Sequence, residues 1–454
     1  MVTVQVQKLI DFVADVFSHA GSSTAEAKRI ATYLTTANLT GHDSHGVIRV
    51  PVYVRWKNMG AVVPDQTVEL AVDTPSLAVI DGKFGYGQTV APQAVKIGIE
   101  KCKATGLAAI ALRNAGHIGR VGDWAEMAAA EGLVSIHFVN AAGSILVAPY
   151  GGVERRLSTA PYCVGIPRVG QGPIVLDFAT SIVAEGKVLV ASRGGKKLPK
   201  GALIGQDGVL SEDPTTLYGP YTPEGTRDHS QGTGAIRAFG EHKGSGLALI
   251  CELLGGALTG TGATAPNRRF ANGMFAIYVD PKRIDPANFF DGEISRYVSY
   301  FKDTKPVAGN DAVLIPGEPE ARTRAERTKN GVPLPDETWA AIVNTAREVG
   351  VSESAIQNAS ACANSRLAIS RCNCRDWSAA TRSARWRAAS RSSSCRRSPR
   401  RNARRPSARA RQASWPRRAG ASCIISPMAS RLRSASSSRM LARRRTNWKT
   451  RLSR

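Results

Sequence analysis

The stretch Gly41-His42-Asp43-Ser44-His45-Gly46-Val47-Ile48-Arg49-Val50 places two imidazoles, a carboxylate, a hydroxyl and a guanidinium within ten residues of a chain that holds seven histidines. Histidine titrates nearest neutrality of any unperturbed side chain, and the planar guanidinium of arginine matches a carboxylate or phosphate. The combination suits proton transfer on an anionic substrate. A plainer alternative is a polar helix start, with Asp43 or Ser44 capping a helix through Val47, Ile48, Val52 and Tyr53. Spacing alone does not separate the two. Another imidazole, His117, stands in Arg113-Asn-Ala-Gly-His117-Ile-Gly-Arg120-Val-Gly122, just after an apolar run; its plain alternative is a loop histidine bonded to the backbone. Phe239-Gly-Glu-His242-Lys243-Gly-Ser-Gly246 then sets a lysine and a glycine-rich turn ahead of apolar residues 247–258. A lysine with exposed amides at a helix start suits a phosphate or carboxylate, although Lys243 reads equally as a solvated helix-start residue.

The elements around these groups follow from apolar periodicity. Val6, Leu9, Ile10, Val13, Val16 and Phe17 recur at helical spacing over residues 5–19, and Ser22-Ser-Thr24 caps a second helix that runs to Leu39. The His/Ser/Arg cluster therefore sits at a helix junction. Residues 68–72 and 77–80 read as a hairpin-like pair of short strands, 87–103 as a helix and 107–112 as an apolar strand. The His117 loop, a helix over 124–131 and a strand over 133–139 complete a βαβ-like unit. His117 then lies at the carboxyl end of a strand, where open α/β sheets bind ligands. Neither Gly116-x-x-Gly119-x-x-Gly122 nor Gly82-x-x-Gly85-x-Gly87 has the G-x-G-x-x-G order, so no Rossmann fingerprint is present. A dinucleotide would need another scaffold, with helix N-termini and single basic residues holding its phosphates.

The net charge of +25 on 454 residues suggests a nucleic-acid partner until it is located. Residues 351–454 hold 26 of the 61 Lys and Arg and two of the 36 acids, leaving residues 1–350 at +1. The tail has 25 arginines to one lysine, one glycine and no Phe, Tyr or His. That is the composition of GC-rich codons read out of frame, and a frameshift between about Val351 and Ala361 is the favoured reading; an intact reading frame to codon 454 would exclude it. The alternative is a disordered arginine/serine-rich arm that binds nucleic acid by counterion release. Cys102, Cys163 and Cys251 lie far apart, as reduced thiols of a cytosolic protein do, and Cys372 and Cys374 lack partners at zinc-ligand spacing, so no metal site is expected. The N-terminus lacks a signal-peptide pattern and no apolar run reaches membrane-spanning length, so a soluble cytoplasmic protein is expected.

Taken in order, residues 41–53, 114–128, 148–161, 175–187, 198–208 with Asp213-Pro214, 242–260 and Leu314-Ile-Pro-Gly-Glu318 resemble the malate/L-lactate dehydrogenase family, which also holds ureidoglycolate, sulfolactate and diketogulonate dehydrogenases and an imine-reducing branch. The resemblance spans nearly all of residues 5–350. It implies an α/β, non-Rossmann NAD(P)-dependent oxidoreductase fold: a catalytic region over 1–350, with a helical N-terminal part (1–60) and an α/β part (61–350), followed by the basic tail (356–454), expected to be disordered or frameshifted. It further implies NAD or NADP as cofactor, a small 2-hydroxy or 2-oxo acid as substrate and a homodimer, with no metal. On that pattern Ser44, His45 and Arg49 line the substrate site, and His117 stands near the nicotinamide. Either histidine is the proton-transfer group, with His117 favoured. Asn140, Asp177, Phe178, Ala179 and Lys243 match nucleotide-contacting positions. Leu157-Ser-Thr-Ala-Pro161 departs from the family's Leu-Gly-Thr-Asn-Pro, and 222–238 reads as an insertion. The resemblance gives His42 and Asp43 no role. The readings outside this class are a nucleic-acid-binding protein acting through the tail and an inactive family member.

Overall fold

The structure is a computed structural model that describes residues 1–193, 197–222 and 227–363. The expectations for most of the basic tail, including Cys372 and Cys374, lie outside the described residues. Helices α1 (Val6–His19) and α2 (Thr24–Leu39) form where the apolar spacing places them, and Ser23 caps α2 by accepting the Glu26 amide at 3.3 Å. The decapeptide then folds as two 3₁₀ turns, Asp43–His45 and Val47–Arg49, before α3 (Val50–Asn58). None of these starts has a side-chain cap, so the helix-cap alternative for Asp43 and Ser44 fails.

Seven strands make the main sheet: β1 (Glu69–Asp73), β2 (Leu77–Asp81), β3 (Leu107–Ala115), β4 (Val134–Ala142), β5 (Pro161–Ile166), β6 (Ile174–Ala179) and β7 (Ala271–Val279). Their spatial order is β1-β2-β3-β7-β4-β5-β6. The expected βαβ-like unit needs correction. β3 and β4 run the same way, but β7 lies between them and is antiparallel to both. The sequence order could not reveal a strand arriving from so far downstream. Helix α4 (Gly87–Thr105) and helix α5 (Gly122–Ala130) cover one face, with Val95, Ile110, Leu112, Trp124 and Tyr278 buried together.

Beyond the sheet, α6 (Glu185–Ser192) and α7 (His242–Cys251) follow. The expected helix over 247–258 starts earlier, with Lys243 in its first turn, and continues as a π-helical segment, Glu252–Leu258. Gly255 lets that segment lie directly against β4, since a Cβ there would stand 2.7 Å from the Phe138 carbonyl. A second core joins α1, α2 and α3 to C-terminal residues including Trp339, Ile342 and Ile356. Residue 356, the expected start of the tail, falls inside a helix, Glu353–Ala363, whose Ile356 and Ala359 are buried. The apolar spacing of Val351, Ile356 and Ala359 carries the packed region past that boundary. Cys102, Cys163 and Cys251 are free and buried, and no helix among the described residues is long and apolar enough to cross a membrane.

His137 on β4 is wholly buried, and neither ring nitrogen has a hydrogen-bond partner among the described residues. Burial pushes it down to about 3. The folded value lies below the unfolded one near 6.5, so the unfolded chain binds the proton first on acidification. Its contribution is complete above pH 6.5 and is lost as pH falls, by about 4 kcal/mol at pH 3.5. His137→Phe should flatten the fall in melting temperature between pH 6.5 and 4; an unchanged pH slope would contradict this.

Candidate active site

The two 3₁₀ turns gather their polar groups by short backbone contacts. Arg49 Nε donates to the Ser44 carbonyl at 2.7 Å, folding the guanidinium back over the first turn. Ser44 Oγ lies 3.1 Å from His45 Nδ1. Asn38, buried on α2, donates to Asp43 at 2.6 Å and accepts the Val47 amide at 2.8 Å, so one side chain braces both turns. Gly186 at the start of α6 permits close approach, because a Cβ there would sit 2.6 Å from that of Ser44. This brings Glu185 to 3.7 Å from Arg49, where Tyr218 donates to the other carboxylate oxygen at 2.6 Å.

His117 reaches the same place from the end of β3. Its ring lies nearly parallel to that of His45, with centroids 5.5 Å apart. Its Nδ1 is 2.6 Å from Tyr53 Oη, and Gln88 Nε2 donates to that phenol oxygen at 3.1 Å. The glycines that fit no nucleotide fingerprint have a role here. A Cβ on Gly87 would stand 2.2 Å from the His117 carbonyl, and one on Gly116 would stand 2.7 Å from that of Gly85. The two loops can therefore pack backbone to backbone. Asn272 on β7 secures them from below, accepting the Ile118 amide at 2.9 Å and donating to the Asn140 carbonyl at 2.7 Å.

The electrostatics of the pair favour neutral rings. Burial, then the Arg49 charge, pushes His117 down to about 3. Burial, followed by His117 and Arg49, holds His45 well below the usual histidine range. Burial also raises the Tyr53 phenol to about 12, so it stays protonated. A neutral imidazole held beside a cation can accept a proton from an anionic substrate's hydroxyl.

Ser44, His45, Arg49 and His117 thus converge. The five residues matched to nucleotide contacts do not join them in one cluster. Asn140 is fully buried, its amide donating to Glu252 and the Gly262 carbonyl and accepting the Gly273 amide. The Asp177 carboxylate accepts the Gly122 amide at 2.7 Å, at the start of α5, and burial raises its pKa. Phe178 packs edge-on against Phe239 at 5.3 Å, and Ala179 pairs with Pro161. Lys243 is exposed and, among the described residues, forms no ion pair. A cleft of about 250 Å³, lined by residues including Pro149, Tyr150, Ile204, Arg237 and Glu241, opens near this helix start. Gly246 leaves its outer face bare, with nothing within 4 Å of the point a Cβ would occupy. An exposed lysine beside the Tyr150 ring fits an anionic, ring-bearing group such as a nicotinamide dinucleotide.

Sequence reasoning missed Tyr53, Gln88, Glu185, Tyr218 and Asn272 as parts of the site. Tyr53 had a usable signal: it follows Arg49 by four residues, one helical turn along the same face. Asn272 had none, because its contacts are made across the sheet.

A family model described as malate/L-lactate dehydrogenase matches residues 4–343. Hydroxycarboxylate dehydrogenase B of Escherichia coli K12 is 38% identical over 358 residues, covering 77% of this chain and 95% of the relative. A malate dehydrogenase of Pyrococcus abyssi is 33% identical, with 77% and 96% covered. The solved sulfolactate dehydrogenase of Methanocaldococcus jannaschii superposes with a TM-score of 0.67 at 29% identity, over 79% of this chain and 99% of that one. The family match takes in the turns, loop and sheet that assemble the histidine pair, and the chain belongs to the malate/L-lactate dehydrogenase family.

Proposed function

We propose that the protein is an NAD- or NADP-dependent oxidoreductase that interconverts a small 2-hydroxy acid and its 2-oxo acid. The observation that carries the reading is a neutral His117, fixed through Nδ1 to Tyr53 at 2.6 Å and bordered by Arg49. Arg49 pairs with the substrate carboxylate, displacing its long contact to Glu185, and so fixes C2 in place. His117 Nε2, which has no hydrogen bond among the described residues, takes the hydroxyl proton. For Nε2 to be the base, Nδ1 carries the ring's proton from the start and donates to Tyr53 Oη, while the phenol proton turns toward the His117 carbonyl, 3.4 Å away. Tyr53 thus accepts from the same Nδ1–H in both ring states. Ser44 orients His45, whose stacked ring closes the other side. When bound, the nicotinamide supplies the hydride acceptor, or the donor in the reverse direction. Lys243, Phe178 and Ala179 would hold the dinucleotide, with Asp177 and Asn140 bracing the backbone behind them.

The test follows nicotinamide absorbance for the full chain with both cofactors across a panel of 2-hydroxy and 2-oxo acids. Turnover of at least one acid is expected. Cofactor binding without turnover of any would identify an inactive family member instead. The family resemblance also supports a homodimer, and an exposed apolar stripe of Leu249, Ile250, Leu253 and Leu258 is suited to self-association. Light scattering should give twice the chain mass; a monomer would refute this assignment.

A further inference from the structure

His42 and Asp43 have no part in the proton transfer, yet both are tied to a helix far away in sequence. Helix α8 (Glu318–Asn330) buries none of its residues, so apolar packing does not hold it in place. Its attachments are polar and share one face, since Glu320, Arg324 and Arg327 are spaced four and three residues apart. Glu320 Oε1 lies 3.4 Å from His42 Nε2. Arg327 forks onto Asp43, with Nη1–Oδ1 at 2.6 Å and Nη2–Oδ2 at 3.1 Å, and also donates to the Asn38 carbonyl. Arg324 donates to Glu126 on α5 at 3.1 Å, and Glu126 in turn pairs with buried Arg120 at 2.8 Å. The charged stripe therefore grips the segment that carries His45 at both of its ends, through Glu320 and Arg327. Its middle grips the helix that follows the His117 loop.

We propose that α8 is a polar strut that sets the separation of the two imidazoles, with Asp43 and Arg327 as its positioning residues. A bidentate carboxylate–guanidinium pair fixes direction as well as distance, which a single lysine contact does not. Asp43 transmits that constraint to the turn through Asn38, which holds both 3₁₀ segments. The consequence for turnover rests on the oxidoreductase reading above; the consequence for ring spacing does not.

Asp43→Asn and Arg327→Gln should each lower kcat by about 10- to 100-fold, the size of effect expected from a displaced catalytic group. Cofactor affinity should hardly change, and the double variant should be little worse than either single one, because both break the same link. Arg327→Lys, which keeps the charge without the fork, should recover part of the loss. If Arg327→Gln does not fold, Arg327→Lys and Asp43→Asn decide the matter, and wild-type kcat in both overturns the strut. Imidazole nitrogen shifts read the spacing without turnover. His45 is held low by burial and then by His117, with Arg49, His42 and Lys187 also facing it. In the variants it should titrate at higher pH; an unchanged titration overturns the proposal even if the wild type oxidises no acid in the panel. An active wild type with unaltered variants, by contrast, would refute the strut alone.

Discussion

Replacing His117 by asparagine should lower kcat on the order of a thousandfold while leaving cofactor binding nearly intact. Asparagine keeps a polar group near Tyr53 but cannot take up a proton. The effect should exceed that of Tyr53→Phe, which removes the partner of Nδ1 and leaves the imidazole; about tenfold is expected there, from one lost hydrogen bond. The pH profile carries a sign. His117 stands at about 3 in the free enzyme, so the base form needed for oxidation is present throughout the neutral range. Oxidation should therefore show no loss from His117 as pH falls from 8 to 5. Reduction needs the imidazolium, whose fraction drops tenfold per pH unit above 3, so kcat/KM for the oxo acid should fall steadily as pH rises. Full activity in His117→Asn would transfer the proton role to His45.

Arg49→Leu carries the second large effect. Removing the guanidinium should reduce kcat/KM for the hydroxy acid by about 100- to 1000-fold, since a charge-assisted pair in an enclosed site contributes a few kcal/mol. The loss should be much smaller for the corresponding amide, which offers no carboxylate, and comparison of the two substrates measures the pairing. Arg49 is also one of the charges that depress His117. Its removal should let His117 titrate higher, moving the decline in reduction to higher pH. An equal loss on acid and amide would mean that Arg49 supports the turn through the Ser44 carbonyl and does not bind the substrate.

The parts of the site that were legible in sequence are those made by neighbours in the chain. Ser44, His45 and Arg49 occupy two adjacent turns, and His117 follows an apolar strand, so residue type and local periodicity disclosed both. Their convergence was not legible, because it depends on Gly87 and Gly116 admitting two loops to backbone contact and on Asn272 reaching across from β7. The first two helices and the strand that leads into the His117 loop followed from their apolar spacing. The sheet order did not, since a strand read as one run of alternating side chains does not name its neighbours. Asn140 and Asp177 show the same limit from the other side: polar residues at matched positions, whose hydrogen bonds turn inward to Glu252 and Gly122.

The insertion of β7 between β3 and β4 also has a consequence for the order in which the protein can be made. During synthesis, β3 and β4 emerge long before the strand that pairs with both. Until Ala271–Val279 leaves the ribosome, each presents an open hydrogen-bonding edge, the surface by which nascent chains pair wrongly. Because the central pairing closes so large a loop, it belongs to the slow, non-local class of folding events. The bulge between Asn272 and Met274 sits at the end of that same strand, beside the loop that carries His117. The His117 loop is thus seated in the step that completes the sheet, and a chain released before residue 271 would hold both histidines yet lack the strand that fixes one of them.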